Sequence, residues 1–145
     1  MRAINDIVIH CSDSPDGRDD SVKDINEWHK LRFPPSESGI YCGYHWIIRL
    51  DGTVESGRLI NEVGAHCPPN GKSVGICLIG TSKFKQGQWD SLKALVQGLK
   101  KEFPQATVTG HRDHESGKKQ GKTCPNFCVR SWVADGYIPD DKNIL

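Results

Sequence analysis

Two short runs constrain this chain more than any other part of it. "IVI" at 7–9 is continuous and β-branched, and "VGICLIG" at 74–80 is apolar at nearly every position. A strand with one wet face alternates apolar and polar residues, whereas an unbroken apolar run of this length reads as a strand covered on both sides. The first run ends at His10, just before a Ser/Asp/Pro/Gly loop. From Ser21, "SVKDINEWHKLR" carries Val22, Ile25, Trp28 (or His29) and Leu31 (or Arg32) near helical spacing, with Ser21 and Asp24 placed for a capping box. "YHWIIRLDGTVESGR" reads as strand, Asp51-Gly52 turn, strand. "QWDSLKALVQGLKKEF" puts Trp89, Leu92, Leu95, Val96 and Leu99 on one helical face, and Pro104 stops it. "ATVTG" is a short strand that delivers His111. "FCVRSWVADGY" is a short helix closed by Gly136, and the remainder reads as a tail. Strands interleaved with helices, plus a hairpin, give an α/β fold: a central mixed β-sheet flanked by helices, in a single domain spanning 1–145.

The net charge of +1 argues against a broad cationic surface, so no nucleic-acid partner is expected. No apolar run is long enough to span a membrane. No secretion signal precedes the first strand, so the six cysteines read as mostly reduced thiols of a chain made in the cytoplasm, with Cys77 a small core residue. The sequence gives no oligomeric state, and a monomer is the default.

Chemistry gathers at the strand ends. His10 closes one strand, His111 follows another, and "GHRDHESGKKQGKTCP" (110–125) crowds histidines, acids, lysines and a cysteine into a run that cannot bury itself as core. Two imidazoles and one thiolate suit Zn²⁺, and three protein ligands leave one position open, the pattern of a catalytic rather than a structural zinc. By spacing alone His114 and Cys128 are rivals, as are the pairs His10-Cys11 and His66-Cys67, each of which can supply one ligand at most because strand neighbours point to opposite faces. "HRD" and "CPNFC" do not fit the zinc nucleobase deaminase signature.

"VIHCS", "EWHK", "GYHWIIRLDGTVESGR", "VGAHC", "KSVGICLIG", "GHRD" and "KTCP" occur in order, from about Ile7 to Trp132. Together they resemble the zinc-dependent N-acetylmuramoyl-L-alanine amidases shared by phage amidase-lysozymes and peptidoglycan recognition proteins. The resemblance implies His10, His111 and Cys124 as zinc ligands, and so selects His111 over His114 and Cys124 over Cys128. It implies Tyr44 and Lys122 as catalytic residues: Tyr44 positioning water or helping to move its proton, Lys122 stabilising charge on the carbonyl oxygen. The reaction implied is hydrolysis of the amide between N-acetylmuramic acid and L-alanine in bacterial peptidoglycan, as a cell-wall lysin that would need a route to the wall. A non-catalytic peptidoglycan-binding module, or an amidase of soluble muropeptides, are the alternatives. His66, Arg58 and Asn70 are candidates to meet glycan or peptide. "ESGKKQG" looks like loop material added to the compact phage pattern.

Overall fold

The computed structural model describes residues 2–121 and 123–145. Five strands form one mixed sheet: β1 (Asp6–Cys11), β2 (Trp46–Ile48), β3 (Val54–Ser56), β4 (Ser73–Leu78) and β5 (Thr107–Gly110). Their order is β3-β2-β4-β1-β5, with β1 parallel to β4 and β5, β2 parallel to β4, and β3 antiparallel to β2. The two apolar runs are therefore the inner strands β1 and β4, which lie side by side with Ile7 opposite Val74 and Ile9 opposite Ile76.

Strand alternation divides the molecule into two layers. Ile7, Ile9 and Cys11 of β1 and Val74, Ile76 and Leu78 of β4 join one core, with Trp89, Leu92, Val96 and Leu99 of α2 (Gln86–Glu102). Each fully buried side chain of this kind contributes roughly 1.5–3 kcal/mol. The opposite face carries His10, Ser73, Gly75 and Cys77. There a smaller core of Ile25, Cys42, Ile47, Cys77 and Ile79 forms beneath α1 (Val22–Lys30). The helix starts as its sequence indicates, with the Ser21 N–H donating to Asp24 Oδ2 at 2.8 Å. Of its ambiguous positions, His29 turns inward, while Trp28 and Leu31 are 38% and 90% exposed.

Two segments depart from the sequence reading. Residues 115–119 of the supposed loop insertion form a short helix, α3 (Glu115–Lys119). It packs so tightly on the preceding turn that a Cβ at Gly117 would stand 2.4 Å from the His111 carbonyl oxygen. The stretch after α4 (Val129–Ala134) is not a loose tail. Ile144 bridges Phe84, the Leu145 N–H donates to Phe84 O at 3.0 Å, and buried Asn143 donates to Ser82 O and accepts from Trp89 Nε1 through its carbonyl. Among the described residues no helix is long and apolar enough to cross a membrane.

Candidate metal centre

His10 is the penultimate residue of β1, and His111 follows β5, whose Gly110 pairs with Ile9. Adjacent parallel strands thus bring two imidazoles, 101 positions apart in the chain, to ring centroids 4.7 Å apart. Cys124 arrives from the loop that follows α3. That loop is fixed at its root by the Arg112 N–H, which donates to the Cys124 carbonyl at 2.8 Å. The Cys11 N–H reaches Cys124 Sγ at 3.2 Å. One donor atom from each of His10, His111 and Cys124 lies within 4.8 Å of the others. A tetrahedral centre with bonds of about 2.1–2.3 Å separates its donors by roughly 3.5 Å, so the residues fit a zinc-sized ion with little closure. Both histidines are buried, at 2% and 8% exposure.

Each imidazole is held from behind. His10 Nε2 lies 2.9 Å from His66 Nδ1, and His66 Nε2 lies 3.2 Å from Ser73 Oγ. His111 Nε2 lies 3.1 Å from Ser116 Oγ on α3. Ser116 of α3 thus braces His111. Burial holds His66 well below the ordinary imidazole range, and it holds the Tyr44 phenol well above its own, so Tyr44 keeps its proton at neutral pH. The Tyr44 ring packs 5.0 Å from that of His10 and 5.3 Å from that of His29.

These groups line a cleft of about 890 Å³ between the sheet and the end of α1. Tyr44, His66 and Asn70 all border it. Asn70 is also a loop organiser, its Oδ1 accepting from the His66 and Cys67 N–H groups, both at 2.9 Å. Arg58 requires a correction. Its guanidinium is buried away from the cleft and donates to the carbonyls of Cys42, Val63, Pro34 and Tyr41, which leaves it no reach toward a ligand. Lys122 lies outside the described residues. The rival donors stand elsewhere: His114 Nε2 is 2.7 Å from Thr109 Oγ1, and Cys128 is exposed where α4 begins. All six cysteines are free, and Cys77 is fully buried core. Asp113 orders its own loop by accepting from the Gly110 N–H at 2.8 Å.

Sequence reasoning missed one wall of the cleft. Trp28, Arg32 and Phe33, at the end of α1, border it. The available signal was that Trp28 and Arg32 shared the ambiguous helical positions with His29 and Leu31, so that when His29 turns inward Trp28 does not.

The chain matches the N-acetylmuramoyl-L-alanine amidase family over residues 1–127. The endolysin of Enterobacteria phage K11 is 34% identical over 139 residues, which cover 90% of this chain and 85% of that protein. The solved structure of the N-acetylmuramoyl-L-alanine amidase LysC from Clostridium intestinale superposes with a TM-score of 0.77 at 30% identity, over 95% of this chain and 88% of its own. A variant of Drosophila peptidoglycan-recognition protein LB, in complex with tracheal cytotoxin, superposes at 0.73 with 26% identity, over 97% of this chain and 86% of its own.

Proposed function

The chain belongs to the N-acetylmuramoyl-L-alanine amidase family, and we propose that it is a zinc-dependent cell-wall lysin built as one domain over residues 1–145. Its activity is hydrolysis of the amide that joins N-acetylmuramic acid to L-alanine, and peptidoglycan is its substrate. The lysin role draws on the endolysins it resembles. The zinc assignment is carried by one observation: His10, His111 and Cys124 converge within 4.8 Å at the cleft.

In this reading the two imidazoles and the Cys124 thiolate would hold the ion. When bound, zinc acidifies water and polarises the scissile carbonyl. The chain's own groups do the rest. Tyr44, protonated at neutral pH, offers its hydroxyl to orient the attacking water and to pass a proton. Lys122, assigned through the family pattern alone, would supply a positive charge to stabilise the anionic carbonyl oxygen. Trp28 and Phe33 offer apolar walls, and Arg32 a cation, to glycan and stem peptide.

The test joins metal analysis to product analysis. One zinc per chain is expected after loading, and mass spectrometry of digested sacculi should show free stem peptides together with intact glycan. Cys124→Ser should abolish both zinc retention and hydrolysis, whereas Cys128→Ser should alter neither. The reverse pattern would assign the metal to the other sulfur. Digestion of soluble anhydro-muropeptides but not of sacculi would refute the lysin role while sparing the amidase chemistry.

A further inference from the structure

His66 reads from the sequence as a substrate contact, yet its surroundings are those of a built internal seat. Both ring nitrogens are engaged inside the protein, Nδ1 with His10 Nε2 at 2.9 Å and Nε2 with Ser73 Oγ at 3.2 Å. The ring occupies a slot that two glycines open. A Cβ at Gly75 would stand 2.8 Å from His66 Cγ and Nδ1, and a Cβ at Gly64 would stand 2.7 Å from its Cδ2. Gly75 lies mid-strand in β4, paired on both sides by β1 and by the chain leading into β2. A glycine there weakens a strand relative to alanine, so the position gives up intrinsic stability and makes room for an imidazole. Were the slot only core, an apolar side chain would fill it with no polar atoms to satisfy.

We infer that His66 is a positioning residue for the metal centre. Its Nδ1 accepts the proton of His10 Nε2–H, which fixes the tautomer of His10 and turns His10 Nδ1, with its lone pair, toward His111 and Cys124. The hydrogen bonds order themselves in one direction. For His10 Nδ1 to ligate, His10 Nε2–H must donate across its 2.9 Å contact to His66 Nδ1, and His66 Nε2–H then donates across its 3.2 Å contact to Ser73 Oγ. The reverse direction would put a proton on His10 Nδ1 and make it unable to ligate. Outer hydrogen bonds of this kind orient a ligating histidine and raise its basicity, and removing one weakens metal binding by about 10–100-fold. Strand geometry explains why the partner comes from a loop. His10 and Gly75 share one sheet face, and the missing side chain at 75 lets a residue arriving from 64–70 reach across β4 to β1.

This inference rests on zinc at His10, His111 and Cys124. The test is the zinc dissociation constant of the full chain, measured by competition with a chromophoric chelator. His66→Ala should weaken binding by about 10–100-fold. His66→Asn places an amide oxygen near the Nδ1 position, still accepts from His10, and should recover most of the loss. Gly75→Ala, whose new methyl meets only the His66 ring among its nearest neighbours, should weaken zinc as His66→Ala does. In ¹⁵N spectra of histidine-labelled protein, zinc should move the His10 Nδ1 resonance rather than Nε2. A wild-type chain that takes up no zinc would overturn the zinc reading itself. A wild type that binds zinc, with His66→Ala binding equally well or with Nε2 as the shifted nitrogen, would overturn the role given to His66 alone.

Discussion

Acidification should destabilise this fold through two imidazoles that touch no proposed ligand. His45 is fully buried. Its Nδ1 accepts from the Gly75 N–H at 3.0 Å, and its Nε2 lies 2.8 Å from the Glu62 carbonyl. His29 Nδ1 accepts from the Gly43 N–H at 2.8 Å. Both bonds need an unprotonated Nδ1. Burial, with smaller contributions from Arg58 and other cations, lowers each imidazole from 6.5 to about 4. The unfolded chain therefore takes up these protons as pH falls through 6.5, while the folded chain refuses them until about 4. The unfolded state binds more protons across that window, so stability is complete above 6.5 and is lost on the way down to 4. A gap of 2.5 units at 1.36 kcal/mol per unit amounts to about 3 kcal/mol per histidine. Urea denaturation of the zinc-free protein at a series of pH values would measure it. The comparison is with His29→Asn/His45→Asn, whose amide oxygens can accept the same two N–H groups without titrating. Other titrating groups, Glu62 and His66 included, are common to both proteins and cancel in the difference. The wild type should lose about 3 kcal/mol more per histidine than the double variant between these limits. Parallel losses in the two proteins would refute the reasoning.

Three further outcomes follow from the site. Arg58→Met keeps the aliphatic stem but strands the carbonyls of Cys42, Val63 and Pro34, and should lower stability by about 3 kcal/mol or more with KM unchanged in the folded protein. A raised KM at undiminished stability would restore Arg58 as a substrate contact. Tyr44→Phe should keep the ring packing on His10 and the zinc affinity but lower kcat by about 10²-fold or more, and wild-type turnover would remove the hydroxyl from the chemistry. Lys122→Ala should lower kcat by about 10²–10³-fold with zinc retained, and unchanged turnover would move the oxyanion role to another group.

What could be read from the sequence was whatever local periodicity determines. The unbroken apolar runs of the inner strands, the Asp51-Gly52 hairpin, the Ser21–Asp24 cap and the apolar face of α2 are each set by residues close together in sequence. The three donors were visible as candidates, because each closes or follows a strand or sits in a loop that cannot be core. Their selection was not visible, since spacing treats His111 and His114 alike. Tertiary partners decide such cases. Thr109 takes His114, and Ser116 takes His111. The same holds for α1, where periodicity permits Trp28 or His29 inward and the Gly43 N–H, which needs an acceptor, favours His29. Arg58 misleads for a related reason. A cation beside a hairpin reads as ligand-facing until the loop carrying Pro34, Tyr41 and Cys42 folds over it and presents carbonyl oxygens from several directions.

The same alternation that builds the sheet also limits the candidate metal set to three. His10 and Cys11 are neighbours in β1, so they point to opposite faces. His10 enters the α1 side, with His66 and Tyr44, whereas Cys11 enters the core on the α2 side. Cys124 reaches the sheet at the end of β1, where the two faces meet, and touches both: its sulfur belongs to the set with His10 and His111, and lies 3.8 Å from Cys11 Sγ. A second sulfur is therefore near the centre, yet among the described residues it does not join the group whose donors lie within 4.8 Å of one another. Had Cys11 shared the face of His10, two histidines and two cysteines would have closed a tetrahedron, which is a structural zinc site with no position for water or substrate. If zinc occupies this set as proposed, a one-residue offset in a single strand separates an open centre from a closed structural one.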